Sequence, residues 1–229
     1  MGIRTAGKES GDEVDKRKIG YNESPLMRKA AQYMVNKPVL CMVVGVPASG
    51  KTSLAKELAG KIINSAYISK DLIETPFTDA ERITGRTYSR IQGPTFRILV
   101  DFARLQLALG KTPIIDAPFS INHWRRDKYS HWVPAFKKAA RQFKARLAIV
   151  RCVPPNEDVL RIRIEERLKR KESKWDQWKL DHWPEFVKRE PSDFPIPHDD
   201  IHEFISDEHF ETRVKDVLLN YLGVKKFPI

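Results

Sequence analysis

Short apolar runs alternate along the chain with stretches of helical period. Val39-Leu40-Cys41-Met42-Val43-Val44 is continuous, apolar and rich in β-branched residues, the pattern of a strand buried on both faces. Leu54, Leu58 and Ile62 then fall at helical spacing, so a helix follows within a few residues. Ala66–Ser69, Thr112–Asp116 and Arg146–Val153 read as further strands, and Ile201–Ile205 as a short apolar piece. From Phe96 to Leu109 the apolar residues Phe96, Leu99, Val100, Ala103 and Leu107 predict a helix, with Gly110 as its stop. Helices are also expected around 133–143, from about 156 to 171 and from about 208 to 222. Ser24-Pro25 fits an N-cap followed by Pro at the first helical position, opening a helix to about Asn36 with Leu26, Ala30, Tyr33 and Met34 on one side. Residues 1 to about 20 are polar without apolar period, and 74–93 read as irregular and basic. Strands alternating with helices imply an α/β domain whose parallel sheet carries helices on both faces. The expected division is an N-terminal arm and helix (1–37), one domain (38–222) and a short tail (223–229).

Composition narrows this picture only at its edges. The 229 residues are 41% hydrophobic, enough for a sizeable core, and no apolar run approaches the ~20 residues that cross a bilayer. A cytoplasmic protein without membrane association is expected, and Glu9, Asp12, Glu13 and Asp15 argue against a transit peptide. Cys41 and Cys152 both lie in apolar runs, where buried reduced thiols are expected. A formal net charge of +11 attracts anions, small phosphorylated compounds and nucleic acids alike.

The chemistry is concentrated directly after the first apolar run. Gly45-Val46-Pro47-Ala48-Ser49-Gly50-Lys51-Thr52 has two glycines framing four residues, followed by Lys and Thr, the pattern of a phosphate-binding P-loop. The glycines allow a tight loop whose amides, with Pro47, Ala48, Ser49 and Ser53 in the same stretch, surround phosphate oxygens at a helix N-terminus. Lys51 is expected to reach the β- and γ-phosphates and Thr52 to offer its hydroxyl to Mg²⁺. ATP or GTP is therefore the expected ligand, with ATP favoured.

In a parallel sheet the ligand sits at the carboxyl ends of the strands, which gives meaning to acids placed there. Asp71 and Asp116 each follow an apolar run. Asp71 is the candidate base for a hydroxyl acceptor and Asp116 the candidate for the Mg²⁺ side, although the roles can be exchanged. The plainer alternatives are a helix N-cap for Asp71 and a turn before Pro118 for Asp116. Arg163, Arg167 and Arg170 recur at i, i+4 and i+7, one helix face that can clamp a transferring phosphoryl group or pair with Glu165, Glu166 or Glu172.

Together, GVPASGKT, Asp71, Ile114-Ile115-Asp116-Ala117-Pro118-Phe119 and the arginine stripe resemble the small P-loop kinases related to zeta toxins, chloramphenicol phosphotransferase and polynucleotide kinase. The resemblance spans about residues 38–222. It implies a three-layer α/β/α P-loop NTPase fold with a five-stranded parallel sheet and a helical lid, ATP as donor and a hydroxyl acceptor. It also implies that Asp71 is the catalytic base, beside Lys51, and that Arg163, Arg167 and Arg170 are lid arginines. Acceptors vary across these kinases, so a hydroxyl-bearing small molecule is the leading expectation and a polynucleotide or tRNA the alternative. A nucleotide-hydrolysing switch is a third reading, against which stands the absence of Asn-Lys-x-Asp and Leu-Ser-Gly-Gly-Gln segments. Arg82, Arg86, Tyr88, Arg90 and Gln92 fit either contacts to an anionic acceptor or an exposed basic loop, and His123-Trp124-Arg125-Arg126 lie near enough to the end of the strand at 112–116 to contribute. Trp175, Trp178 and Trp183 fit either stacking of a flat substrate or packing of the lid.

Overall fold

The computed structural model describes residues 33–79, 85–118, 132–170, 173, 175–196 and 198–226; the side chains of 78, 79 and 85–89 are not described. The expected strands form β2 (Val39–Val44), β3 (Ser65–Ser69), β4 (Thr112–Asp116) and β5 (Arg146–Val153), and Ile201–Ile205 adds β6. These five make one parallel sheet in the order β3-β4-β2-β5-β6. All six residues of β2, at its centre, are buried, as the unbroken apolar run demands.

Alternation along each strand divides the core in two. Leu40, Met42, Val44, Ile115, Leu147 and Ile149 face α3 (Gly85–Ala108), α4 (Trp132–Gln142) and the apolar side of α5 (Glu157–Lys169). Val39, Cys41, Val43, Ile114, Ala148 and Val150 face α1 (Lys51–Lys61) and α8 (Phe210–Asp216), which runs on as a π turn over Val217–Tyr221. Three further helices are α2 (Lys70–Asp79), α6 (Asp176–Asp181) and α7 (Trp183–Arg189). Cys41 and Cys152 are free and buried. No helix among the described residues is long and apolar enough to cross a membrane.

Three expectations are corrected. The helix expected to run to about Asn36 is strand β1 (Tyr33–Val35) at its end, paired antiparallel with β7 (Val224–Lys226); its beginning lies outside the described residues. Tyr33 and Val224 bury against the α1 side of the core, and that burial selects strand over local helical period. The irregular stretch expected over 74–93 is helical over 70–79 and from 85 onward. Pro76 and Pro94 both sit inside these helices, which pack on each other. The apolar piece at 201–205 is the fifth strand, its register fixed by Ile149 opposite Ile201 and Val153 opposite Ile205.

Leu54 is fully buried and pins α1, and with it the preceding loop, to the sheet. Leu54→Ala is expected to cost about 2–5 kcal/mol, read as a lower urea midpoint at unchanged slope.

Candidate functional site

The loop after β2 turns through backbone conformations that side chains disfavour. Gly45 has φ +154°, Ala48 +63° and Gly50 +91°. A Cβ on Gly45 would lie 2.4 Å from Ser49 Oγ and 2.6 Å from the Cys152 carbonyl oxygen, and one on Gly50 would lie 2.8 Å from Ser206 Cβ. Both positions are therefore restricted to glycine by conformation and by space. The Ser49 amide donates to the Val46 carbonyl at 3.2 Å, and the buried Lys51 ammonium approaches the same carbonyl at 3.5 Å.

The helix that follows has an unusual start. α1 has no side-chain cap and no acid in its first turn. By contrast α5 is capped by Asn156, which accepts from the Val159 amide at 2.9 Å, and carries Glu157 and Asp158 in its first turn. The first amides of a helix lack intrahelical acceptors, and Lys51, Thr52 and Ser53 line a cavity of about 760 Å³. An anion is the ligand that satisfies such an end.

The rest of the cavity wall comes from other strand ends. Asp71, in the first turn of α2, lies on it, as do Arg163, Arg167 and Arg170 of α5. Ser206 and Asp207, directly after β6, complete it beside Gly50. Arg163 donates to the Ser206 hydroxyl at 2.7 Å and to the Ser206 carbonyl, tying α5 to the end of β6. Burial lowers the Arg163 pKa, with Glu166 opposing the shift. Arg213 donates to Asp207 through two nitrogens, at 2.9 and 2.7 Å, which holds that carboxyl at about 2.

Asp116 sits behind Thr52. The Thr52 hydroxyl donates to Asp116 Oδ2 at 2.7 Å and the Tyr67 hydroxyl to the same oxygen at 3.1 Å. Asp116 Oδ1 is buried with no hydrogen-bond partner. Burial raises the Asp116 pKa above the ordinary carboxylate range, while Lys51 and the two hydroxyls pull it down. A hydroxyl and a carboxylate are hard oxygen donors, and an orphaned buried oxygen has coordination to offer, so the pair fits Mg²⁺. That ion commonly takes one or two protein ligands and completes its shell with water and phosphate.

Lys51, Thr52, Ser53, Ala48, Gly50, Asp71 and the three arginines are thus brought to one cavity. Gly45 and Pro47 shape the loop without lining it, Ser49 is buried beneath it, and Asp116 is reached through Thr52. Of the glutamates offered as partners for the stripe, Glu165 pairs with Arg161 instead, at 3.5 Å. Trp178 stacks on His182 under Arg189, and Trp183 donates to Glu157 at 2.6 Å, so both are used in packing. Arg82, His123, Trp124, Arg125, Arg126 and the side chains of Arg86 and Tyr88 lie outside the described residues. Arg90 is exposed on α3.

The sequence reading missed Tyr67, Ser206 and Asp207. For the last two the signal was present, since they follow an apolar run as Asp71 and Asp116 do. It was lost because 201–205 was not read as a strand. Tyr67 carried no local signal; it reaches Asp116 because β3 pairs with β4.

A family model, AAA_33, described as AAA domain, matches residues 40–186. No curated protein matches the chain. Among solved structures, a candidate kinase from Chloroflexus aurantiacus J-10-fl is 22% identical with a TM-score of 0.60, over 82% of this chain and 97% of that one. A sugar kinase from Janibacter sp. HTCC2649 is 14% identical with a TM-score of 0.53, over 81% and 95%. The APS kinase CysC of Mycobacterium tuberculosis, solved with AMPPNP and APS, is 16% identical with a TM-score of 0.50, over 79% and 95%. At these identities the likeness is one of fold.

A carboxyl whose folded pKa is raised binds its proton more tightly folded than unfolded, so stability falls as pH rises toward that raised value. Asp116→Asn cannot ionise and escapes this loss. In metal-free buffer its thermal midpoint, taken relative to the parent's, is expected to rise as pH increases above about 4. A variant-minus-parent difference that stays constant or falls as pH rises contradicts the burial argument.

Proposed function

The chain belongs to the AAA_33 family of AAA domains, and on that premise we propose that it is an ATP-dependent kinase transferring the γ-phosphate to a hydroxyl of a small molecule. The observation that carries this reading is one cavity walled by the uncapped start of α1, by Asp71 and by three arginines of α5. A nucleotide switch needs the first of these; a hydroxyl acceptor gives use to all three.

In this reading the loop amides and Lys51 hold the triphosphate, and Thr52 with Asp116 would hold Mg²⁺, which when bound neutralises phosphate charge. Asp71 accepts the proton of the acceptor hydroxyl as its oxygen bonds to the γ-phosphorus. The bond from that phosphorus to the bridging oxygen breaks, and ADP leaves. Arg163, Arg167 and Arg170 stabilise charge on the transferring group. Placement favours Asp71 over Asp116 as the base, because Asp71 is exposed on the cavity wall while Asp116 is buried and engaged by two hydroxyls. The location proposed is cytoplasmic.

The charge of +11 also accommodates a second acceptor class, a nucleic-acid 5′-hydroxyl. Binding that weakens steeply with salt would select it over a small molecule.

ADP release measured against a panel of hydroxyl compounds tests the role of Asp71. Asp71→Asn is expected to lower phosphotransfer by about a hundredfold to ten-thousandfold with little change in ATP affinity. Transfer at the parent's rate in that variant removes Asp71 as the base.

A further inference from the structure

The segment from Trp175 to Trp183 has no part in the chemistry above, yet it holds a carboxylate with no exposed surface. Asp176, the first residue of α6, is met by two cations: Lys179 Nζ donates to Oδ1 at 2.5 Å, and Arg167 Nε lies 3.3 Å from Oδ2. Lys179 is one turn along the same helix, whereas Arg167 reaches across from α5 and is part of the cavity wall. The contact is an ion pair without hydrogen-bond geometry, so charge attraction holds the guanidinium at its Nε end and the planar fork of terminal nitrogens lies beyond it. A long side chain held this way has already lost much of the rotamer freedom that binding a phosphoryl group would otherwise remove.

We propose that Asp176 is the positioning residue of the phosphoryl clamp, fixing Arg167 at the cavity and acting through it. The inference rests on the kinase reading and assigns a role to the Trp-rich segment within it. The charges around Asp176 agree. Burial is the main cause of a lowered Lys179 pKa, and repulsion from Arg167 and Lys51 adds to it while Asp176 opposes it. Lys179 is therefore within electrostatic reach of both Arg167 and Lys51, and the buried carboxylate offsets that repulsion.

Calorimetric titrations with Mg²⁺-ADP and Mg²⁺-AMPPNP test the proposal without knowledge of the acceptor. In Asp176→Asn the preference for AMPPNP over ADP is expected to fall about tenfold or more, with ADP affinity unchanged. Arg167→Gln should lose as much, and the double variant no more than Arg167→Gln alone. Asp176→Glu keeps the charge but moves it by one methylene, and should fall between parent and Asp176→Asn; it carries the test if Asp176→Asn does not fold. A merely structural Asp176 lowers the thermal midpoint and leaves the nucleotide preference where it was, which overturns the proposal. So do additive losses in the double variant, or a parent that binds ADP without preferring AMPPNP. A parent that binds neither nucleotide removes the kinase reading itself.

Discussion

A tight loop that aims successive backbone amides at a phosphate turns through conformations that a Cβ disfavours, and the rest of this site depends on that constraint. At Gly45 and Gly50 the constraint is doubled, because φ is positive and the space a Cβ would need is filled by Ser49, Cys152 and Ser206. The crowding shows how the loop is supported: β5 and β6 end against it. A loop held from beside and beneath keeps its amides in place before any ligand arrives, so little ordering remains to be lost on binding.

The same strand ends supply the chemistry. Every strand of the five-stranded sheet delivers a polar group to one edge: the loop from β2, Asp71 after β3, Asp116 from β4, the arginine helix after β5 and Ser206 after β6. Parallel order makes this possible, since all five carboxyl ends point the same way. Part of the arrangement opposes stability. Asp116 is buried with one oxygen unmatched, and α1 begins without a cap, both costs that a compact domain would avoid if packing alone were at stake. Their coincidence at one cavity is the physical signature of a site.

Much of this was legible in the residues because the informative signals were local. The unbroken apolar run of β2, the glycine spacing of the loop and the i, i+4, i+7 arginines each need only a few neighbours to be read. What stayed hidden was set by distant parts of the chain. Tyr33 lies in a segment of helical period but pairs with Lys226, and burial of Tyr33 and Val224 decides the outcome. The stretch before Phe96, read as irregular, belongs from Gly85 onward to a helix that packs on α2. Asp176 looked like one acid in a charged, Trp-rich stretch; only the crossing of α5 and α6 shows that it is buried against Arg167. Trp178 and Trp183, whose sequence fitted either stacking or packing, pack against the core.

The central claim is that amides at positions 45–52, with Lys51, grip the phosphate tail of a nucleotide at the edge of the sheet. Isothermal titration of the purified protein with Mg²⁺-ATP tests it most directly, with Lys51→Ala run beside the parent. The account predicts one saturable binding event in the parent, lost or severely weakened in Lys51→Ala although that variant keeps the parent's thermal midpoint. No binding heat in the parent, or equal affinity in the two proteins, would contradict it.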